Sequence, residues 1–238
     1  MSIWAHRGAS ADAPENTMPA FQLAIEQGAD GFELDVQRSA DGVLVVCHDE
    51  TIDRTSDGSG AIADLQLAEL RRHDFSNGHT GFGRVQIPTL AEVLDLVRGS
   101  AVVVNIELKN SVVRYAGMEA QVDALVNQLG LGDQVWFSSF NHQSLAVLAG
   151  LGSRVPRAAL YIEQLVQPWR YAAGFGASAL HPHLLAVDAE LVASAHAAGM
   201  RVHPWTVDDP RAITELAALG VDAVITNLPG LARQVLGR

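Results

Sequence analysis

Short β-like runs alternate with helical patterns along most of the chain, and this alternation limits the possible folds more than any other feature. Residues 101–108, for example, form a run rich in valine, isoleucine and leucine. Residues 89–97 carry apolar side chains at helical spacing and begin with a capping box formed by Thr89 and Glu92. Strands that alternate with helices are typical of βα units and a parallel sheet, so we predict an α/β fold.

Nine runs have the character of strands, which is one more than an eight-stranded barrel contains. They cover residues 3–5, 32–36, 43–47, 101–108, 135–138, 158–161, 177–180, 202–206 and 222–226. Only residues 39–42 separate the third run from the extended segment before it, whereas parallel strands need a crossover of about a dozen residues or more. We therefore predict a β-hairpin there. The other eight runs predict a closed (β/α)8 TIM barrel, a fold that the 238 residues can accommodate.

Residues 50–88 form a long connection that is rich in glycine and charge and contains one convincing short helix, at residues 64–72. Structureless connections longer than about 15 residues are usually functional or disordered. We interpret this segment as a small insertion over one mouth of the barrel. Because no linker or repeat divides the sequence, we predict a single barrel domain over residues 1–238.

The acidic composition excludes some classes of partner. The formal net charge is −11 and the isoelectric point is about 5.1, which argues against binding to nucleic acid or to anionic membranes. Cys47 is the only cysteine, so the chain cannot form an intrachain disulfide. The sequence starts without the basic and apolar regions of a signal peptide, and we expect a cytoplasmic protein without membrane insertion.

Glu33 and Asp35 are the most informative pair of side chains. They stand two residues apart in a predicted strand, so both point to one face, while Phe32, Leu34 and Val36 point to the other. In an antiparallel sheet such a face could simply be solvated. Inside a parallel barrel, two carboxylates are costly unless they bind something. Given the predicted barrel, we interpret this pair as functional.

The strand at residues 101–108 ends with a second group of polar side chains on one face, Asn105, Glu107 and Lys109. The carboxyl ends of barrel strands are where TIM-barrel enzymes carry their catalytic groups. Three carboxylates at one mouth suit Mg²⁺ or Ca²⁺, which prefer oxygen ligands, and no histidine or cysteine spacing supports zinc. Lys109 is either part of the site or the partner of Glu107 in a structural ion pair.

Two histidines stand close to these carboxylates in the predicted topology. His6 ends the first strand, and His48 ends the hairpin strand roughly across from Glu33. Two imidazoles beside a metal ion supply a general base and a general acid. Arg7 offers a planar fork for phosphate oxygens and Lys109 a point charge. Together these groups indicate phosphoester chemistry.

Short motifs follow one another in a fixed order from about residue 6 to residue 229. They are His6-Arg7-Gly8, Pro14-Glu15-Asn16-Thr17, Ala20-Phe21, Gly28-Ala29-Asp30-Gly31, Glu33-Leu34-Asp35-Val36, Asp41-Gly42, residues 45–49, Thr51, Asp53-Arg54-Thr55, Ile87-Pro88-Thr89-Leu90, Asn105-Ile106-Glu107-Leu108-Lys109, Ser139-Phe140, Trp205-Thr206-Val207 and Gly220-Val221-Asp222. Each motif is weak alone. The ordered set is specific, and it resembles the glycerophosphodiester phosphodiesterase family.

This resemblance implies metal-dependent hydrolysis of a small-molecule substrate, a glycerophosphodiester such as glycerophosphocholine, to an alcohol and sn-glycerol 3-phosphate. It implies a TIM barrel with an insertion at residues 50–88. Our mechanistic hypothesis leaves two nucleophiles open, water or the neighbouring glycerol hydroxyl through a cyclic phosphate. The implied site consists of one divalent cation, Mg²⁺ or Ca²⁺, on Glu33, Asp35 and Glu107, the acid–base pair His6 and His48, and Arg7 and Lys109 near the phosphate.

Two aromatic residues and two departures from the family pattern concern the substrate pocket. Phe140 and Trp205 are candidates for the apolar wall of a glycerol slot, with simple barrel packing as the alternative. Asp208 and Asn227 stand where the family usually has Asn and Asp. Because both lie outside the acid–base and metal-binding set, we expect them to alter details of the pocket rather than the reaction.

Two alternative functions remain open from the sequence. One is a phospholipase D-like enzyme with the same type of barrel that acts on lysophospholipids. The other is a non-catalytic barrel that binds a phosphorylated ligand. The presence of both histidines and all three acids favours an enzyme.

Overall fold

The computed structural model describes residues 1–238 and contains one nine-stranded sheet whose strands alternate with helices. The strands are β1 (Ser2–His6), β2 (Gly31–Arg38), β3 (Leu44–Val46), β4 (Val103–Leu108), β5 (Val135–Ser139), β6 (Arg157–Tyr161), β7 (Ala179–Pro182), β8 (Arg201–Val202) and β9 (Ala223–Thr226). The helices are α1 (Met18–Glu26), α2 (Leu67–Leu70), α3 (Leu90–Leu96), α4 (Met118–Leu129), α5 (His142–Gly150), α6 (Pro168–Ala173), α7 (Ala189–Ala197), α8 (Pro210–Leu219) and α9 (Pro229–Val235).

Eight parallel strands form a nearly closed barrel in the order β8-β7-β6-β5-β4-β2-β1-β9. The gap between β8 and β9 is bridged by two backbone hydrogen bonds, from the amide of Asp222 to the carbonyl of Val202 (3.0 Å) and from that of Ile225 to Pro204 (2.9 Å). The remaining strand of the sheet, β3, lies outside this barrel order and is antiparallel to β2, with Val46 opposite Val36. The predicted TIM barrel and its hairpin are therefore confirmed.

Aromatic rings and small side chains fill the interior of the barrel. The rings of Trp4 and His203 lie 4.6 Å apart, those of Trp136 and His203 lie 5.3 Å apart, and His181 Nε2 contacts His203 Nδ1 at 2.9 Å. Apolar clusters on the outside of the sheet pack against the helices. The centre of the barrel is therefore packed, and a ligand could enter only at an end of the barrel.

Several predicted element boundaries are corrected by the structure. The helix predicted at residues 64–72 is reduced to α2, because Leu65 is extended and separates α2 from a 3-10 turn at Ile62–Asp64. The strand predicted at residues 202–206 ends after Val202, shortly before Pro204, which lacks the amide hydrogen of a regular ladder.

Residues 50–88 are anchored by apolar side chains that pack against the hairpin. The buried members of this cluster are Val45, Cys47, Ile52, Ile62, Leu70, Phe75, Val85 and Ile87. That these residues form an insertion within a single domain stays a prediction.

None of the helices combines the length and the apolar character that crossing a lipid bilayer requires. The cytoplasmic location expected from the sequence stays a prediction.

Candidate active site

The register between neighbouring strands brings the predicted site residues to one mouth of the barrel. Between β2 and β4, Glu33 lies opposite Asn105 and Asp35 lies opposite Glu107. Between β1 and β2, His6 lies opposite Glu33. Since side chains of paired residues stand on the same face of a sheet, these groups all point into the barrel near its carboxyl end.

Glu33, Asp35 and Glu107 form a compact cluster of carboxylates. One oxygen from each lies within 4.8 Å of the other two, and all three residues are less than a tenth exposed. Oxygen donors at this spacing could hold a divalent cation. Two oxygens at this site support the fit, because Asp35 Oδ1 and Asn105 Oδ1 are buried and accept no hydrogen bond from the protein. Buried polar atoms normally have a partner, and a bound cation would supply one to these oxygens.

Electrostatics within the cluster are unfavourable without such a ligand. Burial and the charges of Asp35 and Glu107 raise the pKa of Glu33 well above its ordinary value. Burial and the charge of Asp35 raise the pKa of Glu107 to about 7. Burial acts against ionisation of Asp35 too, but Arg7 and Lys109 outweigh it and lower its pKa to about 2. The site thus concentrates negative charge that a cation would stabilise.

Two basic side chains flank the carboxylates. Lys109 Nζ lies 3.0 Å from Glu107 Oε1 and 3.7 Å from Asp35 Oδ1. Arg7 Nε lies 3.4 Å from Asp35 Oδ2, and the Arg7 backbone amide donates to Glu33 Oε2 at 3.0 Å. The ion pair considered for Lys109 is therefore present. That Arg7 and Lys109 lie near a bound phosphate stays a prediction.

His6 is held by a residue from the other end of the chain. Its Nδ1 lies 2.7 Å from Asn227 Oδ1, and Asn227 Nδ2 donates to Asp208 Oδ2 at 2.6 Å. Burial and the charge of Arg7 lower the pKa of His6 to about 4. Barrel closure places β9 beside β1 and brings Asn227 into contact with His6, so Asn227 adjoins a member of the predicted acid–base pair as well as the pocket. That Asp208 and Asn227 alter only details of the pocket stays a prediction.

His48 is oriented by a chain of charged side chains that the sequence analysis did not assign. Its Nδ1 lies 2.6 Å from Asp49 Oδ1, and Arg54 Nε donates to Asp49 Oδ2 at 2.7 Å. Arg54 also binds Glu15 at 2.7 Å, and Glu15 in turn accepts a hydrogen bond from Arg7 at 2.9 Å. These residues belong to the matching motifs, which was the only signal that could have indicated them.

A pocket of about 240 Å³ lies between these groups. Its lining residues are His6, Arg7, Glu33, His48, Asn105, Glu107, Phe140, Leu160, Trp205 and Ile225. Asp35 and Lys109 lie directly behind this lining, in contact with Arg7 and Glu107 respectively. The wall opposite the charges is apolar, and the Phe140 and Trp205 rings meet there edge to face at 5.5 Å. The pocket thus presents both a charged and an apolar surface to a small ligand.

Comparisons with known proteins agree with the motif set. Residues 6–231 match the model of the glycerophosphoryl diester phosphodiesterase family. A glycerophosphodiester phosphodiesterase from Caldanaerobacter subterraneus is 40% identical over 228 residues, covering 95% of this chain and 94% of the relative. One from Bacillus altitudinis is 40% identical, covering 98% and 97% of the two chains.

Solved structures share the fold over the whole chain. A phosphodiesterase from Oleispira antarctica, in complex with the product sn-glycerol-3-phosphate, superposes with a TM-score of 0.89 at 30% identity and covers 100% of this chain and 97% of its own. A glycerophosphodiester phosphodiesterase from Agrobacterium tumefaciens has a TM-score of 0.85 at 31% identity, with coverage of 98% and 99%.

Proposed function

The chain belongs to the glycerophosphoryl diester phosphodiesterase family, and on this premise we propose metal-dependent hydrolysis of a glycerophosphodiester with His6 and His48 as the acid–base pair. The substrate class and the products, an alcohol and sn-glycerol 3-phosphate, agree with the names of the relatives and with the product bound to the Oleispira antarctica enzyme. The observation that carries the mechanism is the pocket that both histidines and two of the clustered carboxylates line together.

The surroundings of the two histidines support different roles. His6 is neutral at physiological pH, and its Nδ1 lies at hydrogen-bond distance from Asn227 Oδ1. If Nδ1 carries the proton, the lone pair on Nε2 can accept a proton from the nucleophile. His48 Nδ1 lies 2.6 Å from Asp49 Oδ1, so this carboxylate fixes the orientation of the ring, and Nε2 would be the nitrogen that protonates the leaving alkoxide. We therefore assign His6 as the general base and His48 as the general acid.

Glu33, Asp35 and Glu107 are the residues that would hold the cation, and their oxygens suit either Mg²⁺ or Ca²⁺. When bound, such a cation would supply neutralisation of the phosphate charge that this acidic site otherwise repels. Arg7 and Lys109 would add positive charge at the same edge of the pocket. Phe140 and Trp205 would form the apolar wall against the glycerol carbons.

Release of sn-glycerol 3-phosphate tests this function directly. We expect the purified protein to release it from glycerophosphocholine with Mg²⁺ or Ca²⁺ present, and to lose at least about 99% of its rate in excess EDTA, because transition-state charge stabilisation by a metal contributes several kcal/mol. Adding back the cation should restore the rate. Full activity in EDTA would contradict the metal dependence. Binding of the phosphodiester without turnover across a substrate panel would instead support a non-catalytic barrel.

One observation favours lysophospholipids as a second candidate substrate class. A groove of about 550 Å³ begins at Phe140 and Leu160, which also line the pocket, and continues along Ile162, Leu165 and Tyr171. These last three side chains are apolar or aromatic and between 41% and 54% exposed. Because the groove continues from the proposed glycerol wall, an acyl chain carried on glycerol would lie along it.

Substitution of Leu165 by Ser tests the groove. Removing most of this apolar contact should lower kcat/KM for lysophosphatidylcholine about 5- to 30-fold, since about 1–2 kcal/mol of burial is lost. The rate of choline release from glycerophosphocholine should remain unchanged. Leu185→Ser is the matched control, because Leu185 is 74% exposed and does not line the groove. Equal kinetics of Leu165→Ser and wild type on lysophosphatidylcholine, or no turnover of this lipid by wild type, would eliminate the second candidate.

A further inference from the structure

The Asp208–Asn227 pair lies directly behind His6, and nothing in the proposed reaction yet assigns it a role. We propose that Asp208 is a positioning residue that fixes the orientation of the Asn227 amide and, through it, the tautomer of His6. This inference rests on the proposed role of His6 as a catalytic base. It further implies that the Asp and Asn at these two positions can be exchanged together but not singly.

The contacts of Asp208 determine which way the Asn227 amide faces. Asp208 Oδ1 accepts hydrogen bonds from the Asn227 backbone amide at 2.8 Å and from the Thr226 hydroxyl at 2.9 Å. Asp208 Oδ2 lies 2.6 Å from the end of the Asn227 side chain. Because an ionised carboxylate can only accept hydrogen bonds, the group of Asn227 that faces it must be the NH₂. The amide oxygen is therefore directed to the opposite side.

That oxygen determines where His6 carries its proton. Asn227 Oδ1 lies 2.7 Å from His6 Nδ1, and an amide oxygen can only accept. Nδ1 must therefore be the protonated nitrogen, which leaves the lone pair on Nε2. The Ser10 hydroxyl, 2.8 Å from the same oxygen and 2.7 Å from the His6 carbonyl, can donate to either and does not change this direction.

Exchange of the two residues reverses the hydrogen bond between their side chains but keeps one donor and one acceptor at that contact, and it keeps an acceptor facing His6 Nδ1. With Asn at 208 and Asp at 227, the amide NH₂ would donate to the carboxylate, and the carboxylate would still accept from His6 Nδ1. A single replacement loses either the donor–acceptor match between the two side chains or the acceptor that faces His6. In Asp208→Asn, the amide oxygen would stay with the Thr226 hydroxyl and the Asn227 backbone amide, so the NH₂ would face Asn227 and turn the Asn227 NH₂ toward His6 Nδ1. Asn227→Asp places two carboxylates at the 2.6 Å contact. The usual order inferred from the family resemblance is this exchanged one.

Kinetics of the single and double variants test the exchange. With glycerophosphocholine and Mg²⁺ as the assay, Asp208→Asn and Asn227→Asp should each lower kcat at least about tenfold with little change in KM, because a fraction of the ~10²–10⁴ supplied by acid–base catalysis is lost. The double variant Asp208→Asn/Asn227→Asp should return to within about threefold of wild type. Wild-type kcat in Asp208→Asn, or a double variant as slow as the slower single, would overturn the proposal.

A second measurement does not depend on activity or on a variant that folds. The ¹⁵N NMR signals of the His6 ring in the wild-type protein should show hydrogen on Nδ1, whereas hydrogen on Nε2 would refute the proposal. This readout also separates the role of His6 as base from the role of Asp208 in positioning. An active His6→Ala variant would remove the base assignment, whereas the tautomer of His6 in the wild-type protein would still be testable.

Asp222→Asn is the matched control for the kinetic experiment. Asp222 likewise contacts a histidine, His196 at 2.9 Å, but precedes β9 at the far end of the barrel, so kcat should not change.

Discussion

Replacement of His6 or His48 with alanine is expected to lower kcat on glycerophosphocholine by about 10²–10⁴, because each variant would remove one of the two proposed proton transfers. Both imidazoles line the same pocket as Glu33 and Glu107, which is the geometry that acid–base catalysis on one phosphodiester requires. The measurement is steady-state release of sn-glycerol 3-phosphate at saturating Mg²⁺, with thermal melting to verify that each variant is folded.

The two histidine variants should also differ from each other and from a control. His196→Ala is the control, because His196 pairs with Asp222 on the opposite end of the barrel, and it should retain wild-type kcat. A substrate whose leaving group needs no proton, such as a nitrophenyl ester, should rescue His48→Ala much more than His6→Ala if His48 is the acid. Turnover close to wild type in both single variants would end the acid–base assignment.

Replacement of Glu33 with Gln is expected to abolish the response to divalent cations while stabilising the cation-free protein. Glutamine has nearly the same shape and keeps an oxygen for the Arg7 backbone amide, but it removes a carboxyl group whose ionised form is disfavoured in the folded protein by burial and by the charges of Asp35 and Glu107. Activity should fall at least about a hundredfold, since metal-ion stabilisation of the transition state contributes several kcal/mol.

Thermal melting with and without cation measures both effects of this variant. In wild type, millimolar Mg²⁺ or Ca²⁺ should raise the melting temperature, whereas in Glu33→Gln the increment should vanish and the cation-free melting temperature should be higher. Glu119→Gln is the control, because Glu119 is a buried carboxylate bound to Asn110 and Ser144 away from the cluster, and the cation increment should persist. An undiminished increment in Glu33→Gln would contradict the assigned ligand set.

The pH dependence of stability follows from the same cluster. In the folded cation-free protein, the pKa of Glu107 is raised from 4.5 to about 7. The pKa of Glu33 is also raised well above its ordinary value. The folded state therefore binds more protons than the unfolded state between pH 4.5 and about 7, and the free energy of unfolding should decrease as the pH rises through this window. Asp35 acts in the opposite direction, but only below about pH 4, because its pKa is lowered to about 2. Glu33→Gln should flatten the decrease, and saturating cation should remove it.

Local sequence patterns predicted the parts of the fold that depend on neighbouring residues. The period of two in β2 put Glu33 and Asp35 on one face, and the short connection at residues 39–42 required a hairpin, as observed. Helix α3 begins at the predicted capping box of Thr89 and Glu92. Of the helix predicted at residues 64–72, only α2 is α-helical, because Leu65 and Gln66 are extended where the segment packs against the hairpin.

The sequence by itself therefore determined the order of strands and helices, the hairpin, and the face that carries the acidic side chains, since backbone sterics and side-chain periodicity act over a few residues. Only the tertiary structure decided which other side chains contact the histidines of the site. Closure of the barrel brings Asn227 to His6 across 221 residues of chain, and the loops at the mouth link His48 to Glu15 through Asp49 and Arg54. Such contacts arise from the register of distant strands, which no local period encodes.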